Sequence, residues 1–169
     1  MSAFTLNKLY VGIFALLALS PGLFRDVGGR WLTSAITGRV IQWTLILQYF
    51  AAGLAKAKRD WLKDGDVLLS QVQGVFRTEG AAWALNWLPE WTWTAQQQAA
   101  LGFELFAPLL FAHRRLLPVA VAMGCGFHFL IAVFMKDLIY FSLQMWTFYA
   151  MFISAKGWQR MGIRWQDSA

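Results

Sequence analysis

The sequence predicts an all-α fold, an integral membrane helical bundle of about five spans with a Trp-rich interfacial segment. Three observations lead there. Hydrophobic residues make up 58% of the 169 and charged residues only 14%, with a mean hydropathy of +0.45, which is too apolar for one soluble core under a polar surface. Apolar stretches follow one another with short connections, and roughly 20 such residues in a helix cross a hydrocarbon layer about 30 Å thick. Ten tryptophans suit the belts where an amphipathic ring sits between headgroups and acyl chains.

The first span is expected from about Phe4 to Phe24, closed by Pro21-Gly22 and the polar run RDVGGR, whose glycines and charges do not rest in hydrocarbon. Its VGIFALLALSPG stretch also has the look of a secretory leader, and we read it as a retained first membrane helix. Span two is expected from about Val40 to Lys58. The segment after it, about 67–93, is too broken by charge to cross, yet it carries Trp83, Trp87, Trp91 and Trp93; it reads as interfacial or re-entrant. Span three follows at about Ala95–Ala112, and span four at about Leu117–Met135, with Pro118 tolerated in its first turn. The fifth, about Leu138–Ser154, is short and reads as buried or tilted. One transmembrane domain, residues 1–169, accounts for all of these.

The net charge of +6 is carried by basic residues in the connections, such as Arg25, Arg30, Arg39, Arg114 and Arg115, and in the tail at Lys156, Arg160 and Arg164. That distribution suits topology and anionic lipid, not a nucleic-acid stripe. By the same rule the C-terminus is expected on the cytoplasmic side, and the membrane itself is taken to be a bacterial inner (cytoplasmic) one. Cys125 is the sole cysteine and no Cys/His spacing resembles a metal site, so no metal is expected.

Ionisable groups inside a span are costly and mark candidate sites. Lys56, Glu104 and His128 qualify. At about 100° per residue, Tyr49, Gly53, Lys56 and Asp60 share one narrow face, and Gly53 leaves room for a close backbone or a flat ligand. One reading makes Lys56 a desolvated amine able to take a proton near neutral pH; the other has it snorkel to the interface or pair with Asp60. Glu104 shares a face with Gln97, Leu101 and Pro108, and must be protonated, paired or open to a polar cavity. His128 lies after Gly124 and Gly126, which permit close helix packing, and its imidazole has Glu104 or a ligand as candidate partners. Tyr140, Gln144 and Thr147 fall on one face of span five and extend the polar set, or act as interhelical glue. His113, beside Arg114 and Arg115, reads as a solvated turn.

Three blocks, YFAAGLAKAKRDWLKDG, GFELFAPLLF and FHFLIAVFMKDLIYFSLQM, in that order, resemble the membrane core shared by vitamin K-dependent γ-carboxylases and bacterial horizontally transferred transmembrane domains. The resemblance covers about 42–153, and its most specific block is the aromatic-Ala-Gly-x-x-Lys run ending in Asp60-Trp61 and a Gly. It implies that Lys56, not Lys58, matches the lysine taken to deprotonate vitamin K hydroquinone, and that Phe127-His128 matches the family's Phe-His pair. Full carboxylases carry further membrane helices upstream and a large β-rich region downstream, neither of which has a counterpart in these residues. Protein carboxylation is therefore not expected.

Two function classes remain from the sequence. In the first, Lys56 and His128 act as catalytic or proton-handling groups, and Tyr49, Gly53, Glu104, Tyr140 and Gln144 help line a pocket for a quinone or other lipophilic molecule. In the second, the chain is a non-catalytic accessory subunit of a larger respiratory or photosynthetic membrane complex, with Lys56 paired to Asp60. Lipid is a partner in both, and the small residues Gly124, Gly126 and Ala132 equally suit a homo-oligomer.

Overall fold

The computed structural model describes residues 11–12, 25–26, 31–32 and 35–153. The expected first span and the basic tail lie outside these residues, apart from Val11 and Gly12, which are helical. Two compact units divide the chain: one of Met1–Leu45 with Ser154–Ala169, the other of Ile46–Ile153. In the first unit, β1 (Arg25–Asp26) and β2 (Trp31–Leu32) pair antiparallel, Arg25 opposite Leu32 and Asp26 opposite Trp31.

The rest of the described residues are mainly helical. α1 runs Ala35–Ala57, its last turn carrying Lys56, where a cation suits the negative end of the helix dipole. A short 3₁₀ turn, Asp60–Leu62, leads to α2 (Val67–Gln73) and α3 (Glu79–Trp87). α4 (Glu90–Ala112) begins directly after Pro89, α5 (Leu117–Phe134) has a proline in its first turn, and α6 (Ile139–Tyr149) continues into a 3₁₀ turn, Ala150–Phe152. Asp137, at φ 65°, supplies the left-handed residue that reverses the chain between α5 and α6.

Among the described residues, one helix is both long and apolar enough to cross a membrane: α5, of which only Ala120, Gly124 and His128 are buried. α1 and α4 have 23 residues each, about 34 Å of helix, but Arg39, Gln48 and Lys56 in the first and Gln96, Gln97, Gln98 and Glu104 in the second dilute their apolar character. α6 differs most from expectation. Its 11 residues rise only about 16 Å before the helix tightens into 3₁₀ geometry at Ala150, so α6 alone is shorter than a full crossing.

α2, α3 and the start of α4 form a small core of their own. Val72, Ala81, Ala84 and Trp93 are buried together, with Leu68, Leu69, Leu85, Leu88 and Phe134 packed around them. Trp93 is therefore a core residue, edge-on to Phe134 at 5.4 Å, and not a member of an interfacial belt; Trp83, Trp87 and Trp91 are exposed. Thr78 holds this layer in place. Its hydroxyl accepts from Ala81 N–H at 3.0 Å, capping α3, and donates to the Val133 carbonyl at 2.6 Å near the end of α5.

Candidate functional site

The site is built inside the Ile46–Ile153 unit where α1 crosses α4. A Cβ placed on Gly53 would lie 2.9 Å from both Glu104 Cβ and Leu105 N, so only glycine lets the two helices approach this closely. The space at Gly53 is thus filled by α4, the closely approaching backbone that was one of the two expectations for this glycine. One turn later along α1, Lys56 Nζ donates to Glu104 Oε1 at 2.5 Å. Glu104 is 1% exposed, while the lysine side chain keeps 21% exposure. Asp60 does not take part. α1 ends at Ala57 and a turn intervenes, so Asp60 leaves the helical register that the sequence spacing assumed.

The Lys56 ammonium also faces aromatic rings, with Nζ 4.6 Å from the Trp61 centroid and 5.9 Å from that of Phe127. Trp61 is held by α4. Gln97, fully buried, donates to the Trp61 carbonyl at 3.0 Å and the Asp64 carbonyl at 2.7 Å, and accepts from Leu68 N–H at 2.9 Å. Gln98 adds a bond to Trp61 O at 3.2 Å, and the Thr94 hydroxyl one to Gly65 O at 2.7 Å. Three residues within about one turn of α4 thereby staple an irregular segment whose backbone would otherwise lack partners.

A second polar group lies deeper in the same unit. Tyr49 OH is 2.7 Å from His128 Nε2 and is also hydrogen-bonded to Tyr149 OH. All three side chains are buried. Gly124 makes this possible, since a Cβ there would fall inside the Tyr149 phenol, 2.5 Å from Cζ; Gly126, by contrast, faces open space. Phe103 lies edge-on to Tyr49 at 5.2 Å, and Phe127 is 6.0 Å from Phe103 and 5.1 Å from the His128 ring. His128 thus bonds Tyr49, and not Glu104 as one expectation had it.

Among the described residues, four buried polar atoms have no hydrogen-bond partner: Glu104 Oε2, His128 Nδ1, Ser142 Oγ and Gln144 Nε2. The first two belong to the groups just described. Whichever tautomer His128 adopts, Nδ1 is either an N–H without an acceptor or a lone pair without a donor. Burying such a group costs about 1–3 kcal/mol, so both atoms have unused capacity for a ligand oxygen or hydroxyl.

Tyr49, Lys56, Glu104 and His128 are therefore brought together, in two hydrogen-bonded groups with Phe127 touching both. Tyr140 is not among them. It is 79% exposed, because the inward face of α6 carries Ser142, Met145 and Tyr149; Thr147 is exposed and Gln144 only partly buried. The sequence reading missed Tyr149 and Trp61, and the i, i+3, i+7 spacing of Ser142, Met145 and Tyr149 was the available signal for the first. Among the described residues no group of three or more His, Cys, Asp or Glu is placed to hold a metal ion. His113 is exposed, its Nδ1 accepting from Arg115 N–H at 3.3 Å. No family model, curated protein or solved structure matches this chain.

Proposed function

We propose that the Ile46–Ile153 unit binds a flat, hydrophobic, oxygen-bearing ring of the quinone class within the bilayer, at Lys56 and Glu104. One observation carries the reading: a buried carboxylate whose second oxygen has no partner, ion-paired to an ammonium set against the rings of Trp61 and Phe127. A hydroquinone hydroxyl would donate to Glu104 Oε2, and a ring oxygen would accept from Lys56. While the pair is charged, Lys56 is a hydrogen-bond donor; it becomes a base only when its proton has passed to Glu104. The reading takes the chain as a relative of the carboxylase-type membrane core in a bacterial inner membrane, its C-terminus cytoplasmic. The quoted blocks around Lys56, Glu104 and His128 support that kinship.

The test is to purify the chain in mild detergent, extract bound lipophiles and compare quinone content by mass spectrometry between the native protein, Lys56→Ala and Glu104→Gln. A near-stoichiometric quinone in the native sample that falls severalfold in both variants supports the site. Equal content in all three, or none in the native protein, refutes it.

A second reading, the accessory subunit, is supported by the outward apolar side chains Leu47, Phe50 and Leu54 on α1 and Phe106 and Leu109 on α4. These would pack on a larger membrane partner or on lipid. Co-purification of a defined complex in equal amount with native and Lys56→Ala protein, without quinone, is the outcome that favours it.

A further inference from the structure

The layer formed by α2 and α3 has two unlike sides. Its inner side is the small core around Val72, Ala81, Ala84 and Trp93. Its outer side presents Trp83 and Trp87, one helical turn apart on α3, with Trp91 in the first turn of α4. All three are at least 64% exposed. Three neighbouring tryptophans left unburied are not explained by the fold, since each ring can remove roughly 150–250 Å² from water.

The position of the layer narrows what covers it. Thr78 Oγ1 donates to Val133 O at 2.6 Å, Lys136 N–H donates to Phe76 O at 2.7 Å, and Arg77 bridges Met135. A Cβ on Gly80 would lie 3.0 Å from Val133 O. The first turn of α3, which leads into Trp83 and Trp87, is therefore tied to the C-terminal end of α5, the one described helix long and apolar enough to cross a membrane. Along that helix the outward residues are apolar, Val119, Met123, Phe129 and Leu130. At its C-terminal end the exposed residues include the charges Arg77, Lys136 and Asp137, and the three exposed tryptophans share α3 and the start of α4 with the exposed charges Glu79 and Glu90. An apolar helix surface that ends beside exposed amphipathic rings set among charges matches the passage of a leaflet from its hydrocarbon to its headgroups.

We propose that this layer is an anchor for the lipid–water interface: Trp83, Trp87 and Trp91 lie at the headgroup–acyl boundary of the leaflet in which α5 ends, and so fix its depth of insertion. The occupant of the exposed face is a phospholipid surface and not a protein. The proposal is independent of any ligand at Lys56. It places Phe129, five residues before the end of α5 at Phe134, about 8 Å below the boundary, and Met123, eleven residues before it, about 16 Å below.

The test is a spin-label depth series on the full chain in vesicles of phosphatidylethanolamine and phosphatidylglycerol, in a Cys125→Ser background. Labels go at Trp83→Cys, Trp87→Cys, Trp91→Cys, Phe129→Cys, Met123→Cys and, as an aqueous reference, Asp137→Cys. All six positions are exposed, so the variants keep the buried contacts; at 137 the cysteine is strained by the left-handed backbone, φ 65°, and its label serves only to mark water. The expected result is oxygen accessibility rising from the three tryptophan positions through 129 to 123, with nickel-chelate accessibility at the tryptophan positions severalfold below that at 137. Chelate accessibility at 83, 87 and 91 equal to that at 137 overturns the proposal, since the face is then in water. Shielding of these positions from both oxygen and chelate also overturns it, since protein then covers them.

Discussion

Replacing Glu104 by Gln keeps the side-chain size and removes the anion bonded to Lys56. At 2.5 Å the attraction in an effective dielectric of about 20 is about 7 kcal/mol, and desolvation of the two groups offsets much of it. Breaking a buried pair by removing one partner costs about 3–5 kcal/mol, mostly through the charge left behind. Lys56 keeps 21% exposure and can turn toward water, so the lower end applies, about 3 kcal/mol. Lys56→Met in the Glu104→Gln background removes the stranded cation and restores most of the loss, bringing the double variant within about 1 kcal/mol of the native protein. The assay is reversible unfolding in mixed detergent and dodecyl sulfate micelles, followed by far-ultraviolet circular dichroism. If the two single costs add to the double cost within about 0.5 kcal/mol, the residues are independent and the pair as described is wrong.

Tyr49→Phe removes the centre of the Tyr149–Tyr49–His128 chain and leaves two buried partners unpaired, a loss of about 2–4 kcal/mol; Tyr149→Phe breaks only one of these bonds and should cost about half as much in the same titration. Gly124→Ala forces a Cβ into the Tyr149 ring, and overpacking of this kind costs roughly 1–3 kcal/mol or more; Tyr149→Leu in the same chain should recover part of the loss, and a double variant no better than Gly124→Ala would argue against the contact. Gln97→Leu removes three hydrogen bonds to the Trp61–Leu68 segment, so amide exchange should speed up there while α5 and α6 keep their protection; uniform acceleration across the chain would show that Gln97 supports the whole fold and not this segment.

Helices α1, α4 and α5 were legible because each coincides with a long apolar run bounded by a turn signal. The expected start of α4 at Ala95 was late, since Glu90-Trp-Thr-Trp-Thr is too polar to look like hydrocarbon, yet Glu90 after Pro89 makes a good first turn. Gly53 was correctly read as a close-approach position, although the neighbour that needs it is the backbone of α4. Spacing alone points Tyr140 and Gln144 inward, but α6 is rotated so that Ser142, Met145 and Tyr149 face inward, which leaves Tyr140 exposed and Gln144 partly buried. Trp93 was grouped with three exposed tryptophans because nothing local distinguishes a ring that packs on Phe134 from one that does not.

The sequence by itself determined that the chain is helical and apolar, where most of its helices lie, and that Lys56, Glu104 and His128 are ionisable groups in apolar surroundings. These are local properties, fixed by composition and by runs of residues on one segment. The pairing of Lys56 with Glu104 and not Asp60, the bond from Tyr49 to His128, and the inward turn of Tyr149 were decided only by tertiary structure. The physical reason is that a helix apolar on every side has no polar face to show which way it is turned. Its rotation, and with it the partner of each buried polar group, is set by how closely the neighbouring helices can approach, here at Gly53 and Gly124.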